Sequence, residues 1–172
     1  GNNLGNTAGL SYLTKNTRSE LQLFALAKQR FMIASSSGPA HASFLFDIPV
    51  IVTNNIFWEF FTWSYKDSSL PKMIRCKKTD QFLKCSDYME LRKTGRFSIE
   101  GIDDKFELVD NSNEEIRTAV ESKLNELEND SYKPQNSQRK FRDSFDESFY
   151  LVSTHSKIDD SFYKKYKIYF EN

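Results

Sequence analysis

Two short apolar runs, Phe31-Met32-Ile33-Ala34 and Val50-Ile51-Val52-Thr53, constrain the fold of this chain more than any other feature. Each is too short for a stable helix, and the second is β-branched throughout, so both read as buried strands. Between them stand Ser35-Ser36-Ser37-Gly38-Pro39, a short helix-favouring stretch over residues 40–46, and Asp47-Ile48-Pro49 as its exit. A helix inserted between two buried strands carries the chain back across the sheet, which makes the strands parallel. Ahead of the first run, Thr17-Arg18-Ser19-Glu20 has the spacing of a capping box, and residues 21–28 are helix-favouring and largely apolar. Helix, strand, turn, helix, strand is the signature of α/β architecture. The expected fold is a Rossmann-like three-layer α/β/α domain with a parallel sheet.

The 172 residues are enough for one substantial core. Lys and Arg total 24, Asp and Glu total 24, and the formal net charge is zero, which argues against a nucleic-acid binder. No apolar run approaches the ~20 residues of a transmembrane helix, and no charged-then-apolar leader opens the chain, so no transmembrane segment is expected. Cys76 and Cys85 fit no zinc or redox spacing, and a reducing, cytoplasmic compartment is the simpler reading. The chain starts at Gly1 without a methionine, which suggests a piece of a longer protein.

Elsewhere, Leu10 to Leu13 suits a short strand. Residues 56–65 are unusually aromatic and read as core packing, with an aromatic wall near a ligand or a partner domain as the alternative. Residues 86–93 suit a short helix ended by Thr94-Gly95, and residues 106–109 a strand. Ser112-Asn113-Glu114-Glu115 is a second capping box opening an amphipathic helix with Ile116, Val120, Leu124 and Leu127 at helical spacing. Residues 129–138 are polar with one proline. The tail is rich in Phe and Tyr, and a docked helix is expected over residues 159–170. This divides the chain into a Rossmann-like ligand-binding domain (1–130), a linker or exposed loop (131–140), and an aromatic C-terminal segment (141–172).

Candidate chemistry concentrates in the serine-glycine turn. Ligands of open parallel sheets bind beyond the carboxyl ends of strands, where the next helix presents unpaired amides and the positive end of its dipole. Gly38 allows close backbone approach, Pro39 fits the first helical turn, and the Ser35, Ser36 and Ser37 hydroxyls can donate to phosphate oxygens. His41 falls in the first turn of the helix, where it either meets a phosphate or sugar or packs on the sheet. Asn54 and Asn55 close the second strand on the same sheet margin, as base, ribose or sugar contacts or as a plain turn. Lys72 either neutralises a phosphate or is solvated. His155 reads as a surface residue, and Glu114 and Glu115 as helix caps. There is no Walker loop, no GxGxxG and no GxSxG elbow. With two histidines and no carboxylate cluster, neither a metal nor a cofactor is expected.

The stretch Ala27-Lys28-Gln29-Arg30-Phe31-Met32-Ile33-Ala34-Ser35-Ser36-Ser37-Gly38-Pro39-Ala40-His41, with Phe46-Asp47-Ile48-Pro49-Val50-Ile51-Val52-Thr53-Asn54, resembles a little-characterised family of bacterial glycosyltransferases with a GT-B-like fold. Leu70-Pro71-Lys72, the segment from Leu108 to Ile116, and Ser156-Lys157-Ile158 with Ser161-Phe162 also resemble its pattern. The resemblance runs, with gaps, from about Ser11 to the end, and the SSGPxH core is shared with heptosyltransferases and other GT-B enzymes. It implies the C-terminal half of a two-half enzyme, the half that holds a nucleoside-diphosphate sugar. Carried over by position, Ser36, Ser37, Gly38 and His41 would meet the donor diphosphate, with Ser35, Asn54, Asn55 and Lys72 as further donor contacts. The acceptor would be a glycan or lipid-linked molecule in surface glycan or polysaccharide biosynthesis, at or near the cytoplasmic face of the inner membrane. The missing N-terminal Rossmann-like half would carry the acceptor site and often the base, so no catalytic residue is assigned. Two rivals are a nucleotide-sugar epimerase of the same fold and a non-catalytic nucleotide-binding or interaction domain.

Overall fold

A computed structural model describes residues 19–59, 64–98, 100–129, 136–146, 149 and 157–171. In chain order the elements are α1 (Ser19–Lys28), β1 (Met32–Ala34), α2 (Gly38–Ala42) running into a 3-10 turn (Ser43–Phe46), β2 (Val50–Asn55), β3 (Ser68–Pro71), β4 (Met73–Cys76), α3 (Cys85–Lys93), β5 (Phe97–Ser98), β6 (Gly101–Ile102), β7 (Phe106–Val109), α4 (Asn113–Asn129), α5 (Asn136–Asp143), β8 (Lys157–Ile158) and α6 (Asp160–Phe170). Four strands form one sheet in the order β1-β2-β3-β8, all parallel. The first pair has the arrangement that the sequence demanded, with Met32 opposite Val50, Ile33 opposite Ile51 and Ala34 opposite Val52. The molecule is a mixed α/β fold with helices flanking a parallel sheet, compatible with a Rossmann-like domain. None of the described helices is long and apolar enough to cross a membrane.

Strand alternation divides the core in two. Val50 and Val52 point to one face and Ile51 to the other. On the first face Val50, Val52 and Ala40 make a small cluster, joined by half-buried Met32 and Ala34. On the second, Ile51, Leu70 and Ile158 belong to a large cluster with Trp58, Tyr88, Phe97, Phe141, Phe162 and Phe170. Trp58 stacks on Tyr88 at 4.4 Å between ring centroids, Phe170 meets Trp58 edge-on at 5.2 Å, and Phe141 meets Phe170 at 5.0 Å. The aromatic tail therefore shares one core with the sheet.

The chain leaves the parallel sheet at Lys72. β4 continues the line of β3 but pairs antiparallel with β7, Met73 opposite Val109 and Cys76 opposite Phe106. The capping box at α4 is present as expected: the Ser112 amide donates to Glu115 Oε2 at 2.6 Å, and the Glu115 amide donates to Ser112 Oγ at 3.3 Å. The helix is turned differently from its apolar pattern, however. Glu115, Ala119 and Lys123 are buried, while Ile116, Val120, Leu124 and Leu127 flank them half-buried. The buried Lys123 Nζ donates to the Lys66 carbonyl at 2.6 Å and to Glu126 Oε2 at 2.7 Å, which satisfies a charge that would otherwise be costly. α6 is opened by Asp159, whose carboxylate accepts from the Ser161 and Phe162 amides, both at 3.0 Å.

Other expectations need correction. The single helix expected over residues 40–46 is α2 followed by a 3-10 turn, ended by Asp47 at φ +54°. Asn54 and Asn55 are not a turn but the last residues of β2. The stretch assigned as linker (131–140) includes the first part of α5, with Gln138 and Phe141 buried, because Phe141 packs into the aromatic core. Gln138 Oε1 accepts from the Ile158 amide at 2.8 Å and so covers the outer edge of β8. The expected strand at residues 10–13, the first part of the capping box at Thr17 and Arg18, and His155 lie outside the described residues.

Candidate functional site

The carboxyl ends of β1, β2 and β3 bring most of the singled-out residues to one margin of the sheet, in two groups of different character. Ser35, Ser36 and Ser37 follow β1 directly. Ser35 and Ser36 are exposed and Ser37 is half-buried. Ser37 stands at the cap of α2 with an extended backbone, and its hydroxyl makes no cap hydrogen bond. The first helical amides have no carbonyl one turn back, so those of Gly38 and Ala40 lack the usual acceptor, and Pro39 has no amide to satisfy. The His41 amide is bonded to the Ser37 carbonyl at 3.2 Å. The His41 ring donates from Nδ1 to that same carbonyl at 2.8 Å. Because a carbonyl only accepts, Nδ1 carries the proton and Nε2 is the remaining polar atom of the ring. α2 is held on the sheet by buried Ser43, whose hydroxyl lies 3.2 Å from both the Pro39 carbonyl and Met32 Sδ. A side chain built at Gly38 would meet nothing within 4 Å, so the approach to the turn is open.

The second group is spoken for. Asn54, in the left-handed region at φ +53°, exchanges two hydrogen bonds with Asn111: its amide donates to Asn111 Oδ1 at 2.6 Å and its own Oδ1 accepts from the Asn111 amide at 2.7 Å. Asn111 Nδ2 also donates to the Pro71 carbonyl at 3.1 Å. Asn55 Nδ2 donates to Ser69 Oγ at 3.2 Å, and the Asn55 carbonyl accepts from the Lys72 amide at 2.8 Å. Lys72 Nζ pairs with Asp110 at 2.5 Å. These residues lock the end of β2 to the segment before α4. Among the described residues no hydrogen bond joins them to the serine turn.

Sequence reasoning missed a buried polar network beside this margin. Glu59 is 3 % exposed. It accepts from the Tyr88 hydroxyl and, at 2.7 Å, from Arg92 Nε. The Trp58 amide donates to the Tyr88 oxygen at 2.9 Å, and the Arg92 guanidinium lies 4.1 Å from the centre of the Phe57 ring. Burial, then the neighbouring Glu59 charge, raise the Tyr88 hydroxyl well above its ordinary pKa, and the same two causes push the Cys85 thiol up to about 12. A signal was available: Glu59 is a lone acid in an aromatic run, and Tyr88 and Arg92 are one helical turn apart on α3.

Two clefts are described elsewhere. One of 420 Å³ lies between α4, α5, β8 and the start of α6, and one of 380 Å³ between Cys76, Phe82, α3 and Phe106. Neither of these is lined by the serine turn, where Ser35, Ser36, Gly38 and Pro39 are exposed. Among the described residues no three of His, Cys, Asp and Glu gather where one metal ion would bind. Comparison with protein-family models, with curated proteins and with solved structures finds no match.

Proposed function

We propose that this chain is the donor-binding half of a glycosyltransferase, seating the pyrophosphate of a nucleoside-diphosphate sugar on the turn from Ser35 to His41. The observation that carries the reading is the uncapped helix start: at the carboxyl end of a parallel strand, Ser37 makes no cap hydrogen bond to the first amides of α2, and the two serines before it are exposed. A diphosphate supplies the missing acceptors. As the glycosidic bond breaks, negative charge grows on the leaving diphosphate, and donors already aimed there stabilise it without reorganisation. The resemblance of residues 27–54 to GT-B glycosyltransferases supports the same reading, and an open turn suits one wall of a cleft closed by a second half. On this reading His41, fixed through Nδ1, turns Nε2 to the phosphate and sugar of the donor, where a sugar hydroxyl can donate to it. Asn54, Asn55 and Lys72 shape the neighbouring margin through Asn111 and Asp110 and do not touch the diphosphate.

The test is titration calorimetry with uridine and guanosine diphosphates. One of them should bind, and Gly38→Val should abolish the binding without loss of folding, because the added side chain has no neighbour in the protein to displace. Ser36→Ala and Ser37→Ala should each weaken it about tenfold, the loss of one hydrogen bond to a charged group. No binding by either nucleotide, or equal affinity in wild type and Gly38→Val, would overturn the reading.

A further inference from the structure

Helix α1 spreads Leu21, Leu23, Phe24 and Leu26 around its axis rather than confining them to one stripe, yet none of its described side chains is buried. Apolar residues on several sides of a helix call for cover. Leu21, Leu23 and Phe24 of α1 are exposed, and α1 packs against the 3-10 turn, where Phe44, Leu45 and Phe46 are exposed as well, Leu45 to 77 %. We infer that this face is the interface of a two-fold dimer, with α1 of one copy lying antiparallel on α1 of the other.

Three observations select a second copy as the occupant. The first is area. At roughly 100 Å² of exposed surface for each of these six large side chains, a two-fold contact would bury on the order of 1,200 Å², the lower end of what specific interfaces need. The second is local charge. A two-fold axis through the middle of α1 sets Glu20 near one end against Lys28 at the other end of its partner helix, and it opposes the two helix dipoles. Both side-chain-bearing residues are exposed, and neither has an ion-pair partner among the described residues. The third is overall charge: with formal net charge zero, two copies approach without long-range repulsion.

Sedimentation equilibrium on the 172-residue chain, with circular dichroism to confirm folding, tests this. The wild type should dimerise in the micromolar range. Phe24→Glu with Leu45→Glu should raise the dissociation constant at least a hundredfold. Lys28→Glu sets acid against acid and should raise it about tenfold, and adding Glu20→Lys should restore it, since the swap recreates the opposite-charge pair. A wild type that stays monomeric at several hundred micromolar would overturn the inference. So would a dimer indifferent to these substitutions, or a monomer that partitions onto vesicles of phosphatidylcholine and phosphatidylglycerol.

Discussion

The two faces of the parallel sheet are built from the same strands and finished in opposite ways. On one, Ile51, Leu70 and Ile158 meet a dense layer of rings supplied by Trp58, α3, α5 and α6. On the other, Val50, Val52 and Ala40 make a thin cluster under α2, and the large apolar side chains beyond it look outward. Burial of rings is where folding free energy comes from, at about 25 cal/mol per Å² of apolar surface. The lesson is a division of labour: the ring-packed face makes the domain stable, which leaves the thin face and the serine turn beside it free to stay open.

Trp58→Ala should have the largest effect on that contrast. Trp58 is fully buried, stacks on Tyr88, and donates from Nε1 to the Lys72 carbonyl at 2.7 Å. Its truncation should cost about 3–5 kcal/mol in urea-induced unfolding. A loss below about 1 kcal/mol would mean that the two faces share the load.

Glu115→Gln sharpens the comparison at intermediate size. Burial alone would raise this carboxyl, but hydrogen bonds from Lys165, Ser112 and Tyr166 outweigh it and hold it below the usual carboxylate range. A group whose folded pKa is depressed stabilises the protein above its unfolded pKa of ~4.3, and that contribution is lost as pH falls through the folded value. The variant should be about 1 kcal/mol less stable at pH 7, with the gap closing as the buffer is taken below pH ~4. A gap that does not change with pH would remove Glu115 from the account of acid unfolding.

Leu45→Ala should do least. On an exposed position of the thin face, and at protein concentrations low enough to keep the chain monomeric, it should change the unfolding free energy by less than about 0.5 kcal/mol, against several for Trp58→Ala in the same assay. A Leu45→Ala loss comparable to that of a core residue would show that the outward-looking face is part of the folding unit after all.

The same division explains what could be read from the amino acids. The β1–β2 unit was legible because its strands are apolar or β-branched and sit on either side of a serine-glycine turn, all signals local to one stretch. The cap of α4 was legible for the same reason, whereas the Asp159 cap of α6 was not read. β3 was not, because Ser68-Ser69-Leu70-Pro71 has no β-branched residue; it is a strand because Ile51 and Leu70 share one core. β8 is two residues long and exists through its neighbour β3. α4 misled in detail: its apolar stripe is real, yet the helix is rotated so that Glu115 reaches Lys165 and Tyr166 while Lys123 reaches Lys66. At the candidate site the serine turn was visible, whereas the engagement of Asn54 with Asn111 and of Lys72 with Asp110 depends on contacts far apart in the chain.

The amide of Ile158 ends on Gln138 rather than on another strand. One margin of the sheet is thereby sealed by a side chain, while β1 at the opposite margin has no such plug among the described residues. A ribbon that can be lengthened from one side only has nowhere to go after a single addition. Runaway stacking needs two open margins, and the margin at β8 does not offer one.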